Sequence, residues 1–465
     1  MKISYNWLKT YIDTEITLDE ISAVLTSTGL EIEGVEQIGG AKKYLDTVLV
    51  GKVLSAEPHP NADKLKVTKI DLGDGKETQI VCGAPNVAAG QNVPVAIVGT
   101  ILPSPDGDFK IKKAKIRGEE SFGMNWSEVE LGIGTDHSGI LVLSEDLQPG
   151  TPTSQLFGND EIDHEIEIGL TPNRADAMSH FGVARDLFAA LKTRNIPATF
   201  KTYDVSTYPT TDFGKNPISI EVKDTEAAPR YAGVYLKNIK VQESPDWLKN
   251  RLKVIGLSPI NNVVDITNYI LHDLGQPLHA FDAEKIEGNK VIVQKLTEGT
   301  KFITLDGVER RLKGHELMIC NEKEPMCIGG VFGGKDSGVS EETTSIFLES
   351  AYFEPVTIRK GAKAHGLNTD SSFRFERGID PNTTIDALKK AVLMLVEITG
   401  AEIASNIDDH YPTPIQNFNV KLRLAKVVEL LGVEIPAEKI KSILTNLEIK
   451  ILAEQDGILD LEVPA

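Results

Sequence analysis

One histidine stands in a sequence setting that could support chemistry. His279 follows a Gly-Gln-Pro segment near the end of the stretch Asn261–Asp282. Glycine ends helices and proline cannot continue them, so we predict that His279 lies in a loop just after a helix. Binding and catalytic residues are often carried by loops that a rigid scaffold positions. The alternative is a packed structural residue, since Phe281 and Asp282 follow closely.

The residues before His279 must form the elements that hold it. The β-branched run Val263–Thr267 predicts a short buried strand, and Asn268–His272 predicts a helix after it. A strand, a helix and a helix-ending turn would then present the histidine.

A glycine-rich segment, Gly329–Asp336 (GGVFGGKD), nearly matches a phosphate-binding loop. Such a loop needs Ser or Thr after its lysine and must open a helix. Here Asp336 follows Lys335, and the next residues have a strand-like pattern. We therefore exclude nucleotide binding and expect the glycines to allow close backbone approach.

The three cysteines, Cys82, Cys320 and Cys327, have no CxxC spacing. An odd number without that spacing indicates a reducing compartment and argues against a zinc site. The apolar neighbours of Cys327 predict burial, and buried thiols are usually inert. No Ser-His-Asp or Cys-His set can be assembled, so we predict no metal and no nucleophilic triad.

The length of 465 residues exceeds a single core and predicts about three or four domains. The net charge of −19 argues against a nucleic-acid partner unless a local basic patch overrides it. No apolar run reaches the ~20 residues of a membrane span, and the N-terminus lacks a signal-peptide core. We expect a cytoplasmic protein without a membrane association.

The pattern of hydrophobic residues changes along the chain. Residues 1–40 contain a capping box at Thr17 and Glu20, which predicts the start of a helix. Residues 151–200 return to a helical pattern. Between them, residues 41–150 carry short alternating runs separated by turns, which favours a small β-barrel such as an OB-fold. Residues 201–410 mix both patterns and include a helix predicted over Thr383–Ile398.

A basic cluster lies within the predicted barrel. It comprises Lys110, Lys112, Lys113, Lys115 and Arg117. These side chains are candidates for contacts to RNA phosphates. The alternative is an edge strand that lysines keep soluble, and Glu119 and Glu120 follow at once.

Several separate blocks resemble one known family. The segment LGQPLHAFD resembles the β subunit of bacterial phenylalanyl-tRNA synthetase, specifically its editing domain. Three further blocks resemble the same domain: Cys327–Gly338, Ile346–Phe353 and Asn368–Asp380. The barrel region is similar to the tRNA-binding OB-fold of synthetases in four blocks: His59–Leu65, Gln79–Val87, Val93–Pro103 and Lys110–Met124.

The resemblance implies an α+β multidomain fold. An OB-fold β-barrel (41–150) would be inserted in a small helical module (1–40 plus 151–200). A mixed α/β editing domain (201–410) and a second small helical module (411–465) would follow. The family's β subunit continues past residue 465, so we expect an N-terminal fragment. Implied partners are an α subunit, in a tetramer of two α and two β, and tRNA(Phe). No adenylation motif is present, so we expect no cofactor in this chain, with ATP and Mg in the complete enzyme only.

The resemblance also implies the roles of individual residues in hydrolysis of misacylated tyrosyl-tRNA(Phe). His279 would orient water or the terminal ribose as a neutral imidazole, with a pKa near ~6.5. Glu349 would accept a hydrogen bond from the tyrosine hydroxyl, and Thr369 completes the catalytic set. Gly333 would line the pocket, and Ser371 occupies a pocket position where Ala is common.

The sequence departs from the family pattern at a few positions. Ser258 stands where Arg is common, Ser371 replaces Ala, and Asn125-Trp126 stands where a small residue and Cys are common. Two alternative functions therefore stay open. One is a structural RNA-binding and assembly module with a degenerate editing pocket, and the other is a free-standing editing hydrolase.

Overall fold

The computed structural model of the chain describes residues 1–40, 42–102, 108–134, 136–157 and 161–465. The chain forms two compact units. The larger unit comprises Met1–Glu36 and His164–Ala465, and the smaller comprises Gln37–Asp163. The smaller unit is thus an insertion in the sequence of the larger one. The four-domain boundaries given above stay a prediction.

The N-terminal part of the larger unit has short elements in chain order. They are β1 (Lys2–Ser4), α1 (Tyr5–Leu8), β2 (Ile12–Asp13), α2 (Leu18–Ser27) and β3 (Glu31–Ile38). Thr17 caps α2, and the capping box with Glu20 is present as predicted.

The smaller unit is almost entirely β. Its elements are β4 (Val48–His59), β5 (Ala62–Asp71), β6 (Glu77–Cys82), β7 (Asn92–Ile97), β8 (Ile101–Leu102), β9 (Phe109–Lys110), β10 (Ala114–Ile116), β11 (Glu119–Ser121), β12 (Gly123–Asn125) and α3 (Glu128–Leu131). One five-stranded sheet runs in the order β12-β7-β4-β5-β6. The Phe122 amide donates to the Gln79 carbonyl of β6 (2.9 Å), so the sheet curls into a nearly closed barrel.

The larger unit continues with its main body. The elements are β13 (Asp163–Gly169), α4 (His180–Thr193), β14 (Thr199–Phe200), β15 (Ser219–Val222), β16 (Arg230–Lys237), α5 (Asp246–Val254), α6 (Asn262–Leu274), β17 (Leu278–Asp282), β18 (Lys290–Lys295), β19 (Lys301–Ile303), β20 (Glu309–Arg311), β21 (Leu317–Cys320), β22 (Pro325–Ile328), β23 (Phe332–Gly333), β24 (Ser345–Tyr352), α7 (Pro355–His365), α8 (Asp370–Phe375), α9 (Thr383–Thr399), β25 (Glu402–Ile403) and β26 (Asp408–His410).

Two five-stranded sheets organise this body. One runs β15-β18-β21-β22-β23, and the other runs β17-β24-β16-β25 with β26 also paired to β16. The predicted helix over Thr383–Ile398 is confirmed as α9, which Gly400 ends in a left-handed conformation. Leu388, Val392 and Leu395 of α9 are fully buried against the second sheet's core.

The C-terminal segment contains both helices and strands. Its elements are β27 (Phe418–Arg423), α10 (Leu424–Leu431), α11 (Ala437–Asn446), β28 (Lys450–Gln455) and β29 (Ile458–Val463). Pro436 directly precedes α11, and β28 is the next element after that helix. The three strands pair in the order β27-β29-β28, so this segment is mixed rather than wholly helical.

Two local predictions around His279 are wrong. The run Val263–Thr267 is not a strand but lies in α6, because the Asn261 side chain accepts from the amides of Val263 and Val264 and starts the helix. His279 is not in a loop but in β17, which pairs with β24. Helical spacing of Val263, Ile266 and Ile270 buries the apolar residues, and that packing overrides β-propensity.

The described ranges contain no helix that combines the length and the apolar character needed to span a bilayer.

Candidate active site

Two of the predicted site residues lie directly opposite each other in a sheet. His279 of β17 pairs with Glu349 of β24, and Glu349 pairs on its other side with Gly233 of β16. Opposed residues of antiparallel strands project to the same face. The sheet therefore brings the imidazole and the carboxyl group together from separate parts of the sequence.

Gly333 reaches the same place from the other sheet. A Cβ added at Gly333 would lie 3.3 Å from Cε1 of His279. The glycine therefore lies against the imidazole ring, and any side chain at this position would press on it. Its own strand, β23, pairs with β22 at Cys327.

The His279 ring is largely enclosed. It packs edge-on against Phe281, with ring centroids 4.3 Å apart. Its Nε2 atom is buried and has no hydrogen-bond partner within the described residues. Burial lowers the pKa of His279 to about 4, below the ordinary value expected from the sequence. The imidazole is therefore neutral at physiological pH and has a ring nitrogen available to a ligand.

Glu349 is an ionisable group with little contact with water. Its side chain is 6% exposed, and Oε2 accepts a 2.5 Å hydrogen bond from the hydroxyl of fully buried Tyr231. Burial raises the pKa of Glu349 to about 7, and the bond from Tyr231 opposes that rise. Burial and the neighbouring carboxyl group also raise the pKa of Tyr231 well above its usual value. No hydrogen bond to Oε1 is formed by any described residue.

Aromatic rings enclose this pair. Phe281 and Phe347 are both fully buried and face each other across β17 and β24. A Cβ at Gly233 would lie 2.1 Å from Cζ of Phe347, so the glycine makes room for that ring. Sequence reasoning missed Tyr231, Phe347 and Gly233 as site residues. Tyr231 lies in no motif that would mark it as a site residue.

Thr369 has a structural task in the fold. Its hydroxyl oxygen accepts from the Ser372 amide (3.1 Å) and so caps α8, and it donates to the Val331 carbonyl (2.9 Å). Ser371 follows in the first turn of α8 and is half-buried, whereas Ser258 is exposed. Within the described residues, no hydrogen bond joins Thr369 to His279 or Glu349.

Comparison with known proteins identifies both parts of the chain. Residues 48–152 match the family described as putative tRNA binding domain, and residues 227–400 match the B3/4 domain. The chain is 55% identical over 464 residues to the phenylalanine–tRNA ligase beta subunit of Bacteroides fragilis (strain YCH46), covering 100% of this chain and 56% of that protein. The corresponding subunit of Salinibacter ruber is 42% identical, covering 98% of this chain and 55% of that protein.

The chain belongs to the phenylalanine–tRNA ligase beta-subunit family. It spans a little over half the length of these curated relatives. Among solved structures, an N-terminal fragment of the phenylalanyl-tRNA synthetase beta subunit from Pyrococcus horikoshii is similar at 15% identity and a TM-score of 0.30. The match covers 65% of this chain and 81% of that fragment. The B3/4 match includes His279, Gly333, Glu349, Thr369 and Ser371.

The glycine segment of this B3/4 region does not fit a nucleotide. A Cβ at Gly330, whose φ is +68°, would lie 2.9 Å from the rings of Phe353 and Phe375. A Cβ at Gly334 would lie 2.5 Å from the Met326 carbonyl oxygen. The glycines thus allow close packing, as the sequence predicts, and β24 rather than a helix is the next element.

Cys327 beside this segment is buried, as predicted. Its side chain is 5% exposed, and the thiol lies 3.3 Å from the carbonyl oxygens of Ile328 and Phe332. Burial raises the pKa of the Cys327 thiol well above its ordinary value, with nearby Glu349 adding to the rise. The thiol is therefore protonated at neutral pH and unsuited to nucleophilic attack.

The basic cluster lies in the tRNA-binding-domain match of the smaller unit. All five cations are exposed; Lys110 is in β9, Lys115 is in β10, Lys112 and Lys113 lie between them, and Arg117 follows in a turn with φ of 46°. Lys113 pairs with Glu120 (2.9 Å) and lies 4.7 Å above the ring of Phe122. None of the other four has a carboxylate oxygen within 4.0 Å among the described residues. Those four cations are available to an anionic partner.

Proposed function

We propose that this chain is the tRNA-binding and editing part of a phenylalanine–tRNA ligase beta subunit. In this proposal, the B3/4 region hydrolyses tyrosine wrongly attached to tRNA(Phe). The observation that carries it is the cross-strand pairing of His279 with Glu349, with Gly333 against the imidazole. These residues are distant in sequence, and the family resemblance assigns all three to one site.

The substrates themselves create the need for such a site. An apolar pocket that binds phenylalanine rejects an added hydroxyl by only ~10²-fold. A second site that hydrogen-bonds the hydroxyl can instead select tyrosine for hydrolysis. Glu349 supports this role, because Oε1 has no partner among described residues and the group has little water around it. Phenylalanine in the same place would leave that oxygen unpaired, which costs about 1–3 kcal/mol.

We assign His279 to the reacting end of the substrate. The free Nε2 atom would accept a hydrogen bond from a water or from the terminal ribose hydroxyl. Water then forms a bond to the ester carbonyl carbon, the carbon–ribose oxygen bond breaks, and the water proton reaches the ribose oxygen. A group with a pKa of about 4 is a weak base at neutral pH, so His279 orients water more than it removes a proton.

The remaining predicted residues support this arrangement indirectly. Thr369 holds the Val331 carbonyl, two residues before Gly333, and Gly333 contacts His279. We therefore place Thr369 as a positioning residue. Half-buried Ser371 remains a candidate for substrate contact, and exposed Ser258 supplies no cation for the tRNA.

The proposal extends to partners and location. The exposed cations of the smaller unit would contact tRNA(Phe) phosphates, at Lys110, Lys112, Lys115 and Arg117, with a weaker share from Lys113. An α subunit, in a tetramer of two α and two β, would carry amino-acid activation with ATP and Mg²⁺ in the cytoplasm.

The OB-fold barrel, inserted between residues 40 and 151, would be the tRNA-binding domain. Residues 201–410 would form the editing domain.

Comparing two aminoacyl esters tests the editing role. We expect the purified chain to hydrolyse tyrosyl-tRNA(Phe) faster than phenylalanyl-tRNA(Phe), and to show no phenylalanine-dependent pyrophosphate exchange. Hydrolysis of neither ester above the spontaneous rate would contradict the proposal. Pyrophosphate exchange by the chain alone would contradict the assignment of activation to the α subunit.

One observation favours a second candidate function. The hydroxyl of Tyr231 already bonds to Glu349, so this carboxyl group has an internal partner of the same chemical type as the proposed substrate. If that bond is its only role, the chain is an RNA-binding and assembly module. If the chain hydrolyses neither ester but still binds tRNA, the result would support the RNA-binding and assembly function.

A further inference from the structure

The smaller unit contains a cavity of about 510 Å³ that the proposed role of the lysines does not use. Its lining includes Phe109, Ile111, Lys112, Met124 and Asn125. All of these residues lie in the tRNA-binding-domain match. The cavity is therefore next to the basic cluster but is lined mainly by apolar atoms.

Asn125 is a buried polar side chain without a partner. It is 7% exposed and lies at the end of β12, paired with Val95 of β7. Neither Oδ1 nor Nδ2 forms a hydrogen bond with any described residue. A buried amide that lacks partners costs free energy that a well-placed ligand would recover. The position is also one where the sequence departs from the family pattern.

The chemistry of the lining selects the ligand class. A carboxamide presents one acceptor beside one donor, and every nucleobase presents an adjacent donor and acceptor on its edge. Phe109 and Met124, 57% and 36% exposed, offer apolar surface for stacking. Glu130 also lines the cavity and accepts from the Ser127 amide (2.6 Å). Because the lining includes one carboxylate (Glu130) and one cation (Lys112), a neutral base fits better than an anion.

We propose that this cavity receives one unstacked base of an RNA strand, with the Asn125 carboxamide hydrogen-bonding the base edge. The inference rests on the proposed tRNA-binding function of the smaller unit and adds a base-specific contact to it. Lys112, exposed at the cavity, would contact a neighbouring phosphate. The unit would then combine uniform phosphate binding with a preference at one nucleotide.

Two variants separate the base contact from the phosphate contact. Asn125→Leu keeps the branched shape and the number of side-chain heavy atoms but removes the amide, and Lys112→Ala removes one cation. The probes are fluorescein-labelled single-stranded RNAs of about ten nucleotides that contain only A, only C or only U, a length suited to one OB-fold. Binding of each to the 465-residue chain is measured by anisotropy over a series of salt concentrations.

We expect Asn125→Leu to weaken binding of the preferred RNA by ~10-fold, to reduce the differences among the three RNAs, and to leave the salt slope unchanged. Lys112→Ala should weaken all three alike and lower the salt slope by about one. Because Leu replaces an unpaired buried amide, the melting temperature of Asn125→Leu should not fall. If it does fall, Asn125→Ala provides the same test, since it removes the amide without adding a charge or extra bulk.

The outcomes distinguish the two proposals. An Asn125→Leu chain with the affinities and base preferences of the parent would overturn the base pocket while leaving tRNA binding by the lysines intact. A parent chain that binds none of the three RNAs and no tRNA(Phe) would overturn both.

Discussion

The B3/4 site and the cavity of the smaller unit use polar groups in opposite ways. In the B3/4 site, burial moves the pKa of Glu349 up to about 7 and that of His279 down to about 4. In the smaller unit, the buried polar group is the neutral Asn125, and the charged groups are exposed lysines. Shifted ionisable groups are typical of sites that do chemistry, whereas a neutral amide beside exposed cations suits recognition.

The packing of the B3/4 sheet gives the largest expected effect. Gly233→Ala would put a methyl group 2.1 Å from the Phe347 ring, in a strand paired on both sides. We expect a loss of roughly 3 kcal/mol or more in the free energy of unfolding, measured by urea denaturation. Gly338→Ala is the matched control, because no atom lies within 4 Å of its added Cβ. Equal stability of the two variants would show that Phe347 moves aside at no cost.

The raised pKa of Glu349 predicts a pH-dependent contribution to stability. The folded pKa of about 7 lies above the ordinary 4.5, so the folded state binds more protons in this window. The stabilising contribution is complete below pH 4.5 and is lost as pH rises through 7. The His279 pKa moves from 6.5 to about 4, so its contribution is complete above 6.5 and is lost as pH falls through about 4.

Glu349→Gln removes the first of these contributions and leaves the second. We compare the free energy of unfolding of the variant with that of the parent. This difference should shift in the variant's favour by on the order of 2–3 kcal/mol as the pH rises from about 5 to about 8. Urea denaturation at both pH values checks this. A stability difference that is the same at both values would mean that Glu349 titrates normally in the fold. No comparable dependence is expected for Asn125→Leu, since that side chain has no charge.

The bond between Tyr231 and Glu349 gives a smaller effect. Tyr231→Phe removes the donor to Oε2 and should lower the free energy of unfolding by about 1–2 kcal/mol, while raising the Glu349 pKa further. Tyr235→Phe is the control, and we expect no change in stability from it. Tyr235 is half-buried and lies in the same strand, β16, two positions after Gly233. If the two variants denature at the same urea concentration, the Tyr231 bond makes no net contribution.

The smallest effect belongs to the exposed cations. Lys115 has no carboxylate oxygen within 4.0 Å among the described residues, whereas Lys113 is paired with Glu120. Lys115→Ala should weaken tRNA(Phe) binding several-fold and lower the salt slope by about one, with no change in melting temperature. Lys113→Ala should have less effect on both quantities. A filter-binding series over salt concentration that ranks Lys113 above Lys115 would contradict the assignment.

The sequence was informative where local signals agreed with packing. The capping box of Thr17 and Glu20 and the glycine that ends α9 fix helix ends through contacts a few residues apart. The β-branched run Val263–Thr267 predicted a strand, but these residues form part of α6. The Asn261 cap and the burial of Val263 and Ile266 in the core of the larger unit outweigh β-propensity there. Family blocks brought His279, Gly333 and Glu349 forward as candidates. Tyr231 carried no motif, and its bond to Glu349 depends on a register between strands that local patterns do not encode.

The central claim is that the Glu349 carboxyl group selects tyrosine and that His279 assists hydrolysis. Single-turnover hydrolysis of tyrosyl- and phenylalanyl-tRNA(Phe) by the parent, Glu349→Ala and His279→Ala chains tests it most directly. We expect Glu349→Ala to bring the ratio of the two rates close to one. His279→Ala should lower both rates by ~10²-fold, because the attacking water is no longer oriented, and should keep the ratio. A Glu349→Ala chain that retains the parent's preference for tyrosine would contradict the account.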